Sequence, residues 1–411
     1  MPLAAVLPLE LIHTILQVDY LSIDGEPDRQ LLQACSLVCN AWSTPAQQLL
    51  FSNVVLRSER DFLSFRAAVR GSSLAGAVRS LRVIIDHNQP RGLRQHHLAA
   101  AVSLCPRLSS IHLSLFGNEC NDDSAEQCSN ENSTSGGIKE FNSVWHGPGA
   151  PFMPTAGRSE ISSSLAEALS KSPITSFHLS NWSTNSLFLQ NILQFLPFLK
   201  RLSITGTPPS VCDTSAVTPC SLSLNHLRIN FQPSPSADFL RWLLDNSKDS
   251  LTALDLERIS DSDSSIGLLD HFATTHGSAL RSLILPSCMT PTELKHFQRC
   301  TDLRAVAFRT PYVSSALFKH LLADADPTPL EELYLCVDGN TSLSRVIEVV
   351  RSKETLKLVV VCLWEQDVRK KLRLWGSLKM ACAVSGVELK VVERLSEYKA
   401  TIVSDGFLLA V

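Results

Sequence analysis

A short string of apolar residues recurs through most of the chain with the pattern L-x-x-L-x-L, in which other aliphatic or aromatic residues replace some of the leucines. Between Phe177 and Val359 the central residue of the string returns every 23–29 residues. That spacing is in or close to the range of repeats that contain one short strand and one helix each. The central residues are Leu81, Ile111, Phe177, Leu202, Leu227, Leu254, Leu283, Val306, Leu333 and Val359. The pattern predicts a series of short strands, one in each repeat.

The segments between the strings show apolar residues at helical spacing. Examples are DFLRWLLDN at Asp238–Asn246 and SLSRVIEVVR at Ser342–Arg351, which both predict amphipathic helices. A unit of one strand and one helix cannot bury its apolar face alone, so successive units must stack. The predicted fold class is α/β: an N-terminal three-helix unit, followed by an irregular leucine-rich-repeat solenoid of short parallel strands alternating with helices. Ten strings in step with intervening helices argue against chance matches in a leucine-rich chain.

The first fifty residues follow a different pattern, which predicts three short helices. The first contains Leu11, Ile15 and Leu16 on one face, with Pro8 in its opening turn and Glu10 near its positive end. The second spans 31–42 and the third spans 45–51. Three helices of this length bury little surface by themselves, so their apolar side suggests a partner as well as a core.

These residues resemble the F-box, through an opening L-P-x-E, an I-L pair, the string S-L-V-C-x-x-W and a closing L-L-F. The repeats resemble the degenerate leucine-rich repeats of fungal F-box-like proteins. The resemblance implies a substrate-recognition subunit of an SCF-type E3 ubiquitin ligase, whose F-box docks on a Skp-family adaptor held by a cullin and whose repeats capture a target protein. The residues that it implies for adaptor binding are Leu7, Pro8, Glu10, Ile15, Leu16, Leu37, Val38 and Trp42.

Two other interpretations of the N-terminal helices stay open. They could cover the end of the solenoid, because terminal repeats need a covering unit. The chain could also be a leucine-rich-repeat interaction scaffold outside any ligase, with a degenerate F-box. In each case we divide the chain into an F-box-like domain at 1–56, a connecting helix at 57–77 and a solenoid at 78–411. A polar and partly acidic insert at about 117–160 contains too few apolar residues to order itself, or is an acidic regulatory loop.

The repeat register predicts which strand residues face away from the core. In L-x-x-L-x-L strands the leucines point inward, and the alternate residues point outward on the concave side. The candidate target-binding residues are Arg201, His226, Arg228, Asn230, Asp255, Glu257, Arg309 and Tyr334. They are equally compatible with a solvated face that binds nothing. As surface residues, Arg228 and Asp255 should contribute little to stability.

Composition narrows the function further. The chain has 37 Lys+Arg against 40 Asp+Glu, a net charge of −3, which argues against nucleic acid or an anionic membrane as a partner. Its 12 cysteines form no C-x-x-C pair and, without a secretory signal, are expected to be reduced. No nucleotide-binding, zinc-protease or serine-hydrolase motif occurs. We therefore expect an intracellular protein, cytoplasmic or nuclear, that is not an enzyme and uses no cofactor or metal.

Overall fold

A computed structural model of the protein gives the fold. It describes residues 7–18, 28–117, 161–183, 185, 187–209, 220–231, 235–256, 271–285, 299–309, 329–338, 341–363 and 374–403. The predicted insert at about 117–160 lies almost wholly outside the described residues.

Twelve parallel strands form one sheet, and their spatial order is their order along the chain. The strands are β1 Asn53–Leu56, β2 Ser80–Asp86, β3 Ser110–Gly117, β4 Ser176–Ser183, β5 Arg201–Gly206, β6 His226–Phe231, β7 Ala253–Leu256, β8 Ser282–Leu285, β9 Ala305–Phe308, β10 Glu332–Val337, β11 Leu358–Leu363 and β12 Glu388–Val392. Each strand pairs with the next in register, so that Leu202 of β5 lies opposite Leu227 of β6. This arrangement is a leucine-rich-repeat solenoid, as the sequence predicts.

In the described part of the chain, helices come before, between and after the strands. They are α1 Leu9–Val18, α2 Arg29–Ser36, α3 Asn40–Ser52, α4 Glu59–Val69, α5 Gln95–Leu104, α6 Ser163–Lys171, α7 Phe188–Leu193, α8 Ala237–Leu244, α9 Ser344–Ser352, α10 Trp375–Val384 and α11 Leu395–Val403. Local sequence sets some of their ends. Ser58 and Asp61 form a reciprocal capping box at the start of α4, and the Ser236 hydroxyl accepts the Phe239 backbone N–H at 3.1 Å at the start of α8.

All ten predicted central residues lie in strands β2 to β11 and are buried. They point to the side of the sheet that we call the back face, where helices α4 to α10 contribute to one continuous apolar core. Strands β1 and β12 were not predicted, because neither follows the full leucine string. The sheet therefore begins at Asn53, inside the segment assigned to the F-box-like domain and ahead of the predicted start at 78.

The opposite side of the sheet, which we call the front face, is the side predicted to be concave. In the N-terminal strands burial alternates: in β6 Leu227, Ile229 and Phe231 are buried while the residues between them are half-buried. In β7, β8 and β9 every residue is buried. The front face is therefore covered over its C-terminal strands.

The cover is α11. Its Tyr398 and Ile402 pack into a second apolar cluster on the front face. The strand residues of that cluster are Ile284, Ala305, Ala307, Tyr334, Cys336, Val360, Cys362 and Val392. The Tyr398 side chain is fully buried, and its hydroxyl donates to the Phe308 carbonyl at 2.7 Å.

The N-terminal helices have a third, separate core formed by Ile12, Leu16, Leu32, Ala46 and Leu49. Full burial of a side chain of this size contributes about 1.5–3 kcal/mol, so this small core is shallow compared with the repeat core. Two expectations about these helices were wrong. The second helix ends at Ser36, so Trp42 belongs to α3. Leu16 is buried with Ile12 while Leu11 and Ile15 are exposed, so Leu11, Ile15 and Leu16 do not share one face of α1.

Candidate interaction surfaces

The first candidate surface is apolar and lies on the N-terminal helices. We call it the helical patch, and its residues are Leu7, Leu9, Leu11, Ile15, Leu37 and Val38, all exposed. Leu37 and Val38 occupy the turn between α2 and α3, and are 85% and 60% exposed. Contiguous exposed apolar surface is typical of an interaction site, and these residues are the candidates for one here.

The residues that the F-box resemblance implies fall into two groups. Leu7, Pro8, Glu10, Ile15, Leu37 and Val38 are exposed. Leu16 is buried in the core of the three helices, and Trp42 is half-buried against that core. Leu16 and Trp42 therefore hold the helices together, while the other six side chains are accessible to a partner.

The second candidate surface is the N-terminal half of the front face, which we call the open half. From β2 to β6 the middle row of outward residues is Arg82, His112, His178, Ser203 and Arg228, each directly opposite the next. Arg201 and His226 are also opposite each other, one row away. The open half therefore combines arginine guanidinium groups with imidazole rings.

The imidazoles pack face to face. The rings of His112 and His178 are stacked with centroids 4.1 Å apart and planes within 3° of parallel. The Ser176 hydroxyl lies 3.1 Å from Nε2 of His178. Parallel strands hold corresponding side chains about 4.8 Å apart, and this spacing places the two rings in contact.

Burial and positive charge hold these imidazoles neutral. Desolvation, followed by the neighbouring His112, His226, Arg228 and Arg201, lowers the pKa of His178 to about 3. Desolvation and then Arg82 lower the pKa of His112 to about 4. Desolvation and then the arginines Arg201 and Arg228 lower the pKa of His226 to about 4.

On β7 the middle row carries an acidic residue, Asp255, which lies opposite Arg228 of β6. Arg309 donates two hydrogen bonds to the Asp255 carboxylate, one of them from Nε at 3.1 Å, and Nε of Arg228 lies 3.3 Å from the same carboxylate. Asp255 and Arg309 are only 1% and 4% exposed. This buried ion pair marks the boundary between the open half and the covered half.

The candidate target-binding residues differ in their burial. Arg201, His226, Arg228 and Asn230 are half-buried on the open half. The expectation that Asp255, Arg309 and Tyr334 are accessible is wrong, because the ion pair buries the first two and the α11 cluster includes the third. Glu257 lies outside the described residues.

The candidate target-binding residues did not include four residues of the open half, Arg82, His112, His178 and Ser203. The signal was present, because all four occupy the same position of the L-x-x-L-x-L string as Arg228. Tyr398 lies outside the repeat pattern and had no such signal.

The described residues offer few other sites. They contain no group of three or more His, Cys, Asp or Glu side chains that could hold a metal ion. Across the same stretch of chain, no helix has the length and apolar character needed to cross a bilayer.

Comparison with known proteins finds solved structures that share 13–14% sequence identity with the chain. No family model and no curated protein matches the chain. Among solved structures, the leucine-rich repeat-containing protein LegL7 from Legionella pneumophila is 14% identical over 78% of this chain and 96% of its own, with a TM-score of 0.41. The yeast Rad7 and Elc1 complex is 14% identical over 95% of this chain and 92% of the matched chain, with a TM-score of 0.44. The TLR13–ssRNA13 complex is 13% identical over 78% of this chain and 51% of the matched chain, with a TM-score of 0.30.

Proposed function

We propose that the protein is a non-enzymatic substrate receptor of an SCF-type ubiquitin ligase, in which the helical patch docks on a Skp-family adaptor, and through it a cullin, and the repeats capture a target protein. The observation that carries the proposal is the exposure of Leu37 and Val38, which the F-box resemblance implies for adaptor binding. In this proposal the protein acts inside the cell, and neither nucleic acid nor a membrane is a partner.

The division of apolar residues in the N-terminal helices supports this proposal. The core residues Ile12, Leu16 and Leu32 hold the three helices together. The exposed residues Leu7, Ile15 and Leu37 are therefore not needed for that core. A partner that covers them gains about 25 cal/mol for each Å² of apolar surface removed from water.

A second function is favoured by the way α3 joins the sheet. Helix α3 ends at Ser52 and β1 begins at Asn53, and the Ser52 carbonyl accepts the Arg79 backbone N–H at 3.0 Å. Helix α3 is thus continuous with the first strand of the solenoid, as the end of a capping unit would be. The alternative is a repeat scaffold that binds proteins without any ligase.

Adaptor pull-down separates the two functions. Val38→Asp in the full-length chain should abolish capture of a purified Skp-family adaptor, because a carboxylate would have to be buried in an apolar contact. Val384→Asp, on α10, is the matched control, since Val384 is 80% exposed and lies far along the chain. The double variant Leu7→Ala/Pro8→Ala should also lose capture while leaving circular dichroism unchanged.

The ligase proposal is wrong if the unmodified chain captures no adaptor. It is equally wrong if Val38→Asp and Val384→Asp capture the adaptor alike. Either result favours the scaffold.

A further inference from the structure

We propose that a pocket between the N-terminal helices and the first repeats binds a phosphate group, carried by a phosphorylated side chain or by a small molecule. We call it the junction pocket. The inference goes beyond the proposed function and does not depend on it, because the residues that form the pocket belong neither to the helical patch nor to the middle row of the front face.

The junction pocket has a volume of about 510 Å³ and lies where α1, α3 and the start of the sheet meet. Pockets of about 300–1,000 Å³ are typical of small-ligand sites. The polar and small residues that line it are His13, Gln48, Ser73, Gly76, Arg79 and Arg107. The pocket therefore has room for a phosphate group together with the atoms that carry it.

The charged side chains described in the junction pocket are both positive. Arg79 lies directly before β2 and Arg107 lies between α5 and β3, and no Asp or Glu of the described residues lines the pocket. Nη1 of Arg79 donates to the Arg107 backbone carbonyl at 3.4 Å, and within the described ranges neither guanidinium is paired with a carboxylate. Two cationic groups thus share one pocket, and both are exposed to an incoming ligand.

Two guanidinium groups favour a dianion over a single carboxylate. A phosphate monoester has a charge of about −1.5 to −2 at pH 7 and three acceptor oxygens. Guanidinium N–H groups lie in one plane and match phosphate oxygens in pairs. One phosphate group therefore offsets the charge of both arginines, whereas one carboxylate leaves half of that charge.

The uncharged polar side chains suit the same ligand. The Gln48 amide and the Ser73 hydroxyl can each donate a hydrogen bond, and among the described residues neither side chain has a hydrogen-bond partner. His13, on α1, adds an imidazole that donates from its protonated ring nitrogen. A phosphate group that contacts these side chains and the arginines would link the N-terminal helices to the solenoid.

The probe is a short Gly-Ser peptide with one phosphoserine, titrated into the full-length chain by calorimetry. Its binding should weaken by about tenfold or more in Arg79→Gln/Arg107→Gln, because charge-assisted contacts are lost. Arg60→Gln is the matched control, since Arg60 is exposed on α4 outside the pocket, and it should change binding by no more than about twofold. Circular dichroism of the double variant should be unchanged.

A second pair of variants changes the charge of the pocket and leaves both arginines in place. A Cβ atom at Gly76 would meet no other atom within 4 Å, so a larger side chain fits there. Gly76→Glu should weaken binding of the phosphopeptide by about tenfold or more, because its carboxylate competes for the guanidinium groups and repels the phosphate. Gly76→Gln has nearly the same shape without the charge and should weaken binding by no more than about threefold.

Three further titrations define the ligand. The same peptide with unmodified serine should not bind, and the peptide with aspartate in place of phosphoserine should bind at least about tenfold more weakly. Inorganic phosphate is the third. If it binds as tightly as the phosphopeptide, the site belongs to a small free phosphate, and if it binds more weakly, the site belongs to a phosphorylated side chain.

The inference is overturned if neither the phosphopeptide nor inorganic phosphate binds. It is also overturned if the double Gln variant binds them unchanged, if Gly76→Glu and Gly76→Gln bind alike, or if the aspartate peptide binds as tightly as the phosphopeptide.

Discussion

The two halves of the front face share one sheet and one register, yet differ in chemistry. In the open half the middle row reads Arg82, His112, His178, Ser203 and Arg228. Beyond Asp255 it continues as Ile284, Ala307, Tyr334 and Val360, all buried beneath or beside α11. A solenoid can thus use one part of a face for intramolecular packing and leave another part less buried.

Asp255, at the boundary, provides the largest expected effect. Asp255→Ala leaves the buried Arg309 guanidinium without its carboxylate, and breaking a buried ion pair costs about 3–5 kcal/mol of unfolding free energy. This expectation reverses the one drawn from the sequence, in which Asp255 was a surface residue.

Arg82→Ala is the control for the open half, where we expect a change of no more than about 0.5 kcal/mol. Urea unfolding of both variants measures the difference. Equal values for the two variants would mean that the boundary between the halves is misplaced.

The next effect concerns the contact between α11 and the sheet. Tyr398→Phe removes the buried hydroxyl that donates to the Phe308 carbonyl, and the loss of one such hydrogen bond costs about 0.5–1.5 kcal/mol. In the open half, Thr205→Val removes the hydroxyl that donates to the Leu179 carbonyl at 3.4 Å, a long bond within reach of water. Its cost should be no more than about 0.5 kcal/mol. Thermal melts that rank Thr205→Val above Tyr398→Phe would contradict the comparison.

A third expected effect is on pH dependence, and it belongs to the open half. The folded pKa of His178, about 3, is below the unfolded value of about 6.5. Between these values the unfolded chain binds the proton and the folded chain does not, so stability is full above about pH 6.5 and falls as the pH drops.

Acidification from about pH 7 to about pH 4.5 should therefore lower the unfolding free energy by about 1–3 kcal/mol through this residue. His178→Gln should flatten that part of the profile and change it little at pH 7. An unchanged slope in His178→Gln would show that His178 is protonated equally in both states.

The sequence predicted the back face well for a physical reason. Burial against the helices requires an apolar residue at every second strand position, and this requirement leaves a period that can be read directly, as at Leu227 and Ile229. It also gave the correct outward parity for Arg228 and Asp255.

The burial of the C-terminal part of the front face could not be predicted from such a period. The Arg309–Asp255 pair joins residues 54 apart in sequence, and the contact of Tyr398 with Phe308 spans 90. Neither contact has a local pattern. Strands β9 and β11 have apolar residues at successive positions, and this pattern indicates that they are buried on both faces.

Native-state thiol labelling tests the division of the front face most directly. Cys336 and Cys362 lie opposite each other on β10 and β11, and both are fully buried in the α11 cluster. With N-ethylmaleimide and mass spectrometry, we expect Cys39, which is half-buried, to react while Cys336 and Cys362 stay protected. In Tyr398→Ala both should react, and Cys105 in the back-face core should stay protected. If Cys336 and Cys362 of the unmodified chain react as fast as Cys39, α11 does not cover the front face and the account is wrong.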